Sequence, residues 1–180
     1  MFLASRCFPL LVLSLAGAAF STDPVPYRLL SMRTHYQEQS SWCWAASDEM
    51  VLDFFGRDQA QCQIADVAKA NGMCGVPGTC CGGNYYACNL GCSPLIGNIV
   101  PSISWSQAIS WGTATGEIDL GRPFIFVWNW DTGGSHAMVA KGYFNSPYFW
   151  IEAADPIRGD VAYPQTQIVS HSGGVWFGLH

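Results

Sequence analysis

One cysteine of this chain stands apart from the rest. Cys43 lies in Ser-Ser-Trp-Cys-Trp-Ala-Ala, whereas Cys62, Cys74, Cys80, Cys81, Cys88 and Cys92 crowd into residues 62–92 among glycine, proline and asparagine. A lone thiol is a nucleophile when it ionises, and an unperturbed one, with a pKa of about 8.5, is mostly protonated at neutral pH. Chemistry at Cys43 therefore needs a setting that favours negative charge and a base to take the proton. Four histidines are available as that base: His35, His136, His171 and His180. The competing reading of Cys43 is a small buried hydrophobe.

The elements around Cys43 bear on the first requirement. Apolar or small residues at 43, 46, 47, 50 and 54 recur at helical spacing. Ser40 or Ser41 is a good N-cap and Gly56 a good stop, so a helix is predicted from about residue 42 to about 55. Either cap puts the Cys43 sulfur in the first turn, near free backbone N–H groups and the positive end of the helix dipole. A shorter helix is predicted over Gln61–Ala70, with Ile64, Val67 and Ala68 inward and Gly72 ending it. Residues 22–36 read as extended, and residues 72–102 as an irregular cysteine-rich block. The second half changes character. Phe124–Trp130, His136–Tyr143 and Tyr148–Ala154 are β-branched, aromatic and bounded by turn residues, with shorter strands predicted at 166–170 and 175–179. A helical half followed by a strand-rich half means α+β. Trp42, Trp44, Trp128 and Trp130 are read as packing residues, and Gly133-Gly134 either turns the chain or lets another backbone approach.

The remaining composition narrows the setting. Residues 1–21, with Arg6 before an apolar run and then Ala16-Gly17-Ala18-Ala19, have the layout of a secretory signal peptide cleaved after Ala18, Ala19 or Ser21. Cys7 leaves with it, and residues 22–180 make one domain, within the usual range of about 100–200 residues. A secreted or periplasmic location is oxidising, so seven remaining cysteines imply three bridges and one free thiol. The pairing stays open, except that adjacent Cys80 and Cys81 are poorly placed to join each other. A zinc knuckle is the rival, but no histidine lies between residues 36 and 135 and no CxxC pair occurs. The net charge is −5, and eight Lys plus Arg are scattered singly. That argues against a nucleic-acid partner and against a polybasic membrane patch. No metal motif or phosphate-binding loop appears, so no cofactor is expected.

The segment Gln-Glu-Gln-Ser-Ser-Trp-Cys-Trp-Ala-Ala-Ser resembles papain-like cysteine peptidases. It looks like the secreted bacterial branch that includes a plant-pathogen avirulence effector and relatives of the bacteriocin-processing peptidases. Gly-Gly-Ser-His-Ala-Met-Val-Ala-Lys-Gly-Tyr, residues 133–143, resembles the histidine motif of that family. Gln-Cys-Gln-Ile-Ala at 61–65, Gly-Arg-Pro at 121–123 and Asp155-Pro156 follow in the family's order. The resemblance implies Cys43 as nucleophile and His136 as base, with His171 in reserve. It also implies Gln37, six residues before Cys43, as an oxyanion-hole donor. The sequence departs from plant-type papains in having Ser40 where they carry a cysteine, and Asp155 where they carry asparagine.

The third member of the triad also follows from strand arithmetic. A two-residue turn centred on Asn145-Ser146 sets His136 directly opposite Asp155. Opposed Cβ atoms are about 4.5–5.5 Å apart, close enough for a carboxylate to hold an imidazole. Asp131 and Glu152 are the competing carboxylates. The expectation is a papain-like α+β fold, its helical half packed on an antiparallel sheet. As a secreted, monomeric endopeptidase it would cleave protein or peptide substrates through a Cys43–His136–Asp155 triad and an acyl-enzyme. An acyltransferase or deamidase on the same triad, or a catalytically silent binding module stapled by disulfides, are the alternatives.

Overall fold

The strand-rich half owes its shape to residues that alternate between two buried layers. The structure, a computed structural model, describes residues 27–74, 79–82, 88–92, 94, 102–105, 107–145, 147–171 and 176–179. The predicted signal segment at 1–21, Cys7 and His180 lie outside the described residues. In β3 (Phe124–Asn129) and β4 (Ser135–Asn145), Ile125, Ala137 and Val139 face one layer. Phe124, Phe126, Met138 and Ala140 face the other. The two-residue period is therefore present, but both phases are apolar.

The first layer is α1 (Cys43–Phe54) and α2 (Gln61–Ala70), which bury Trp42, Trp44, Met50, Leu52 and Ile64 against the sheet. Each such fully buried aliphatic side chain contributes about 1.5–3 kcal/mol. The second layer is α3 (Trp111–Asp119) and α4 (Gln165–His171), whose Ala114, Ile118 and Ile168 cover the opposite face. The seven-stranded sheet runs β2 (Ser102–Trp105), β7 (Trp176–Leu179), β3, β4, β5 (Phe149–Asp155) and β6 (Gly159–Pro164). Strand β1 (Tyr27–Leu29) pairs with β4 beyond the end of β3. Every pairing is antiparallel. The α+β architecture, with the helix that carries Cys43 packed on an antiparallel sheet, is the expected one.

Four details differ from the sequence expectation. The N-cap of α1 is Trp42, with no side-chain cap, so Cys43 opens the helix instead of lying at its second or third position. The Ser40 hydroxyl is diverted from capping because it accepts from Asn89, whose Oδ1 also takes the Ser41 backbone N–H and so shapes the turn ahead of the helix. Residues 166–170 are helical, not a strand. Pro164 cannot donate to a ladder and closes β6, and of the β-branched pair that follows only Ile168 is buried. Strands β2 and β6 and helix α3 lie outside the elements that the sequence predicts; Gly112 and Gly116 dilute the helical signal of α3. That helix is opened by Ser110, whose hydroxyl accepts from the Thr113 N–H at 3.1 Å.

The fourth detail is the β4–β5 register. Asn145 pairs with Phe149, so the connection is three residues long, not two. Pro147 lies within it and has no N–H to offer a tight hairpin. The register then shifts by one residue between Ala140 and Gly142, giving Val139 opposite Ala154. Continued, it sets Asp155 opposite Met138, two residues from His136 and on the same face. The expected direct opposition is thus replaced by a diagonal one, which is still within reach of a long side chain.

Gly142 at the shift is enclosed. A Cβ there would lie 2.7 Å from the Arg28 carbonyl oxygen, 2.9 Å from Leu29 Cδ1 and 3.1 Å from Glu152 Cβ. Gly142→Ala is expected to destabilise the fold by about 1–3 kcal/mol, the usual cost of overpacking, by displacing β1. Urea unfolding monitored by tryptophan fluorescence checks this, and an unchanged midpoint would contradict it.

Candidate active site

The turn that precedes α1 is built by the cystine block. Asn89 accepts the Ser41 N–H at 2.8 Å and donates through Nδ2 to Ser40 Oγ at 2.8 Å. The indole of Trp42 donates to the Cys88 carbonyl at 2.7 Å, and that of Trp44 to the Leu90 carbonyl at 3.1 Å. Residues 88–90 thus grip both flanks of Cys43. The block is closed by Cys62–Cys81, Cys74–Cys92 and Cys80–Cys88, with Cα separations of 5.0, 5.7 and 5.6 Å. Cys80 and Cys81 each pair elsewhere, and Cys43 is the free cysteine among the described residues. The block is moored to α2 through Cys62 and through the Cys80 N–H, which donates to Asp66.

Gln37 is held from two sides. The buried Gln61 of α2 accepts the Glu38 N–H at 2.9 Å and donates to the Tyr36 carbonyl at 2.8 Å. The Gln37 N–H donates to the Pro156 carbonyl at 3.0 Å, which ties this segment to the residue after Asp155. The Gln37 side chain reaches the same cleft as Cys43. Its Nε2 donates to the carbonyls of Gln39 and Ser40 at 2.9 and 2.8 Å, so both amide protons are engaged. Its Oε1 is buried without a donor among the described residues.

His136 enters from the start of β4. Gly133 and Gly134 precede it with φ of 88° and 91°, a conformation that favours glycine. They form a tight connection closed by Trp130 N–H to the Gly134 carbonyl at 3.2 Å. His136 Nε2 meets Asp155 Oδ1 at 2.9 Å. Cys43 lies near the ring and favours its charged form. Burial disfavours charge on the imidazole. The hydrogen bond to Asp155, with the attraction of Asp155 and of the neighbouring Cys43, outweighs it and raises the pKa from 6.5 to about 9.

Asp155 sits behind the histidine, 1% exposed. Its Oδ1 also accepts the N–H of Ile157 at 2.8 Å and of Arg158 at 3.3 Å, and Oδ2 accepts the Tyr163 hydroxyl at 3.2 Å. Burial alone would raise its pKa. The His136 bond and the two backbone N–H groups hold it below the ordinary carboxylate value instead.

Cys43, His136, Asp155 and Gln37 are therefore brought together, and the first, second and last of them line one cleft of about 350 Å³. His171, the reserve histidine, lies in α4, on the opposite layer of the sheet from α1. His35 instead bridges Glu49 and Asp53 at 3.5 and 3.1 Å. Trp130 corrects its reading as a packing residue. It is 44% exposed, lines the cleft, and lies parallel to the imidazole with centroids 6.4 Å apart. Asn89 and Tyr163 escaped sequence reasoning because nothing local distinguishes them. For Trp130 the adjacent glycine pair was a usable signal.

Over residues 29–176 the sequence matches the family described as the Peptidase_C39 like family. The chain belongs to that family. It is a cysteine peptidase, and solved structures share its fold. A C39-like peptidase from Bacillus anthracis has a TM-score of 0.56 at 16% identity, covering 86% of this chain and 98% of that one. The peptidase domain of Streptococcus ComA, a bifunctional ABC transporter involved in quorum sensing, has a TM-score of 0.55 at 15% identity, covering 82% and 97%. A double-glycine-motif protease from an AMS/PCAT transporter, in complex with the leader peptide, has a TM-score of 0.50 at 20% identity, covering 85% and 95%. No curated protein matches in sequence.

In this C39-like peptidase the cystines rigidify the loop that holds Cys43, and Cys43 itself is left free. Iodoacetamide applied to the unreduced protein should therefore label Cys43 and none of Cys62, Cys74, Cys80, Cys81, Cys88 or Cys92. Peptide mapping by mass spectrometry reads this directly, and a label within the block would break the pairing.

Proposed function

We propose that this C39-like peptidase is a secreted endopeptidase that cuts peptide bonds through Cys43, His136 and Asp155 by way of an acyl-enzyme. The observation that carries the reading is the hydrogen bond from Asp155 to His136, with the imidazole and the Cys43 thiol side by side on one open cleft. Three cystines support a location outside the reducing cytosol. A peptide substrate is supported by the similarly folded double-glycine-motif protease, which holds a leader peptide.

The steps follow from the atoms in place. His136 takes the Cys43 proton, and the thiolate attacks the substrate carbonyl. Negative charge passes to the carbonyl oxygen, which the Cys43 N–H meets at the uncapped start of α1. Gln37 is the second donor, exchanging one of its bonds to the turn carbonyls for the oxyanion. The imidazolium then protonates the leaving amine, the C–N bond breaks, and the first product departs. Water, deprotonated by His136, attacks the thioester, and collapse of the second intermediate releases the acid and restores the thiol. Asp155 keeps the ring oriented and stabilises its charged form throughout.

Two outcomes test the reading. Cys43→Ala should abolish peptide cleavage, and Gln37→Ala should lower kcat by about 10²-fold or more, the usual cost of removing an oxyanion donor. Mass analysis of the products distinguishes a cleaved peptide from a transferred acyl group or released ammonia, either of which would displace the peptidase assignment. The pH dependence has a definite sign. The folded-state pKa of His136 lies above its ordinary value, so the imidazolium and its ion pair are fully present below about pH 6.5. They are lost as pH rises through about 9. Acylation and the ion pair's contribution to stability should both decline across that window. A rate still rising at pH 10 would contradict the assigned role of His136.

A further inference from the structure

The Asp155 carboxylate is held at both oxygens by different kinds of donor. Oδ1 accepts from His136 and from the backbone of Ile157 and Arg158. The donor to Oδ2 among the described residues is the Tyr163 hydroxyl, at 3.2 Å. A carboxylate secured at one oxygen alone can pivot about its Cβ–Cγ bond. That pivot would lengthen the bond to His136, because the same Oδ1 carries it.

Tyr163 is independently fixed. It lies on β6, paired with Ile151 of β5, and is buried. Its ring meets that of Trp128 edge-on, with centroids 4.8 Å apart, and Trp128 is the β3 partner of His136. The wall behind the histidine is thus built from three strands. The charged groups facing the phenol are Asp155 and Arg158, and those facing the imidazole are Asp155 and Cys43. Burial and the neighbouring carboxylate raise the Tyr163 pKa further above its ordinary value, so the hydroxyl stays a donor at neutral pH.

We propose that Tyr163 is a positioning residue of this peptidase: its hydroxyl locks the Asp155 carboxylate so that Oδ1 faces His136 Nε2. The inference rests on the reading that Cys43, His136 and Asp155 perform the chemistry. It adds a fourth side chain that touches neither substrate nor thiol and acts through Asp155.

Tyr163→Phe deletes the donor and keeps the ring that packs on Trp128. It should lower kcat about tenfold, as expected for a hydrogen bond to a charged group, with KM within about twofold of wild type. The decisive readout is the pH profile of Cys43 alkylation by iodoacetate, an anionic reagent drawn in by the imidazolium. With Asp155 free to pivot, its support of the charged ring weakens, and the alkaline limb should move down from about 9 towards the ordinary histidine value. In an Asp155→Ala background, adding Tyr163→Phe should change neither kcat nor the limb, because the group it acts through is already gone. A limb that does not move would show that Tyr163 is merely structural. An upward shift would mean that it acts by drawing charge from the carboxylate, and a further loss in the Asp155→Ala background would mean that it acts elsewhere. Each of these overturns the proposal. Iodoacetate requires no peptide substrate, so a wild-type protein that cleaves nothing defeats the peptidase reading alone, and the alkylation profiles still decide the role of Tyr163.

Discussion

A carboxylate almost completely removed from water is the constraint on which the candidate active site depends. Burying such a charge is costly unless donors replace its hydration. Asp155 gains two backbone N–H groups from the connection after β5, a hydroxyl from β6 and an imidazole from β4. Satisfying one side chain therefore fixes the mutual placement of three strand ends. The raised pKa of His136 follows from the same arrangement, since the anion behind it favours the ring's charged form.

The opposite wall is organised by covalent bonds. Residues 62–92 contain many small and polar residues, too few large apolar ones to build a core of their own. Three cystines replace that core, and the block offers Asn89 and the carbonyls of residues 88 and 90 to the turn ahead of α1. The helix consequently starts at Cys43, with no side chain covering its first N–H groups. Capping by Ser40 or Ser41 would have satisfied the helix locally. Asn89 diverts the Ser40 hydroxyl and fixes the Ser41 backbone, and the helix N-terminus is left facing the cleft.

The two walls meet through Gln37. Its backbone is joined to Pro156, beside Asp155, while Gln61 of α2 brackets it from the helical side. The engagement of its amide by the turn carbonyls belongs to the site without substrate. It also gives the turn a definite shape, so a single side chain serves both the conformation of the loop and the polarity of the cleft.

The amino-acid sequence by itself determined the elements and the chemical cast. The isolated cysteine before a helical period, the glycine pair before His136, the two-phase apolar strands and the clustered cysteines are local signals, and local signals survive without a fold. The tertiary structure alone decided how these parts meet. The proximity of His136 and Asp155 was legible although its stated register was not, because Pro147 lengthens a turn and a bulge near Gly142 shifts the ladder, leaving the pair diagonal neighbours on one face. The cystine pairing, the grip of Asn89 and the contact of Tyr163 with Asp155 join residues whose types carry no mark of their partners. Such contacts arise only when hydrogen-bonding groups distant in sequence are buried together and must satisfy one another.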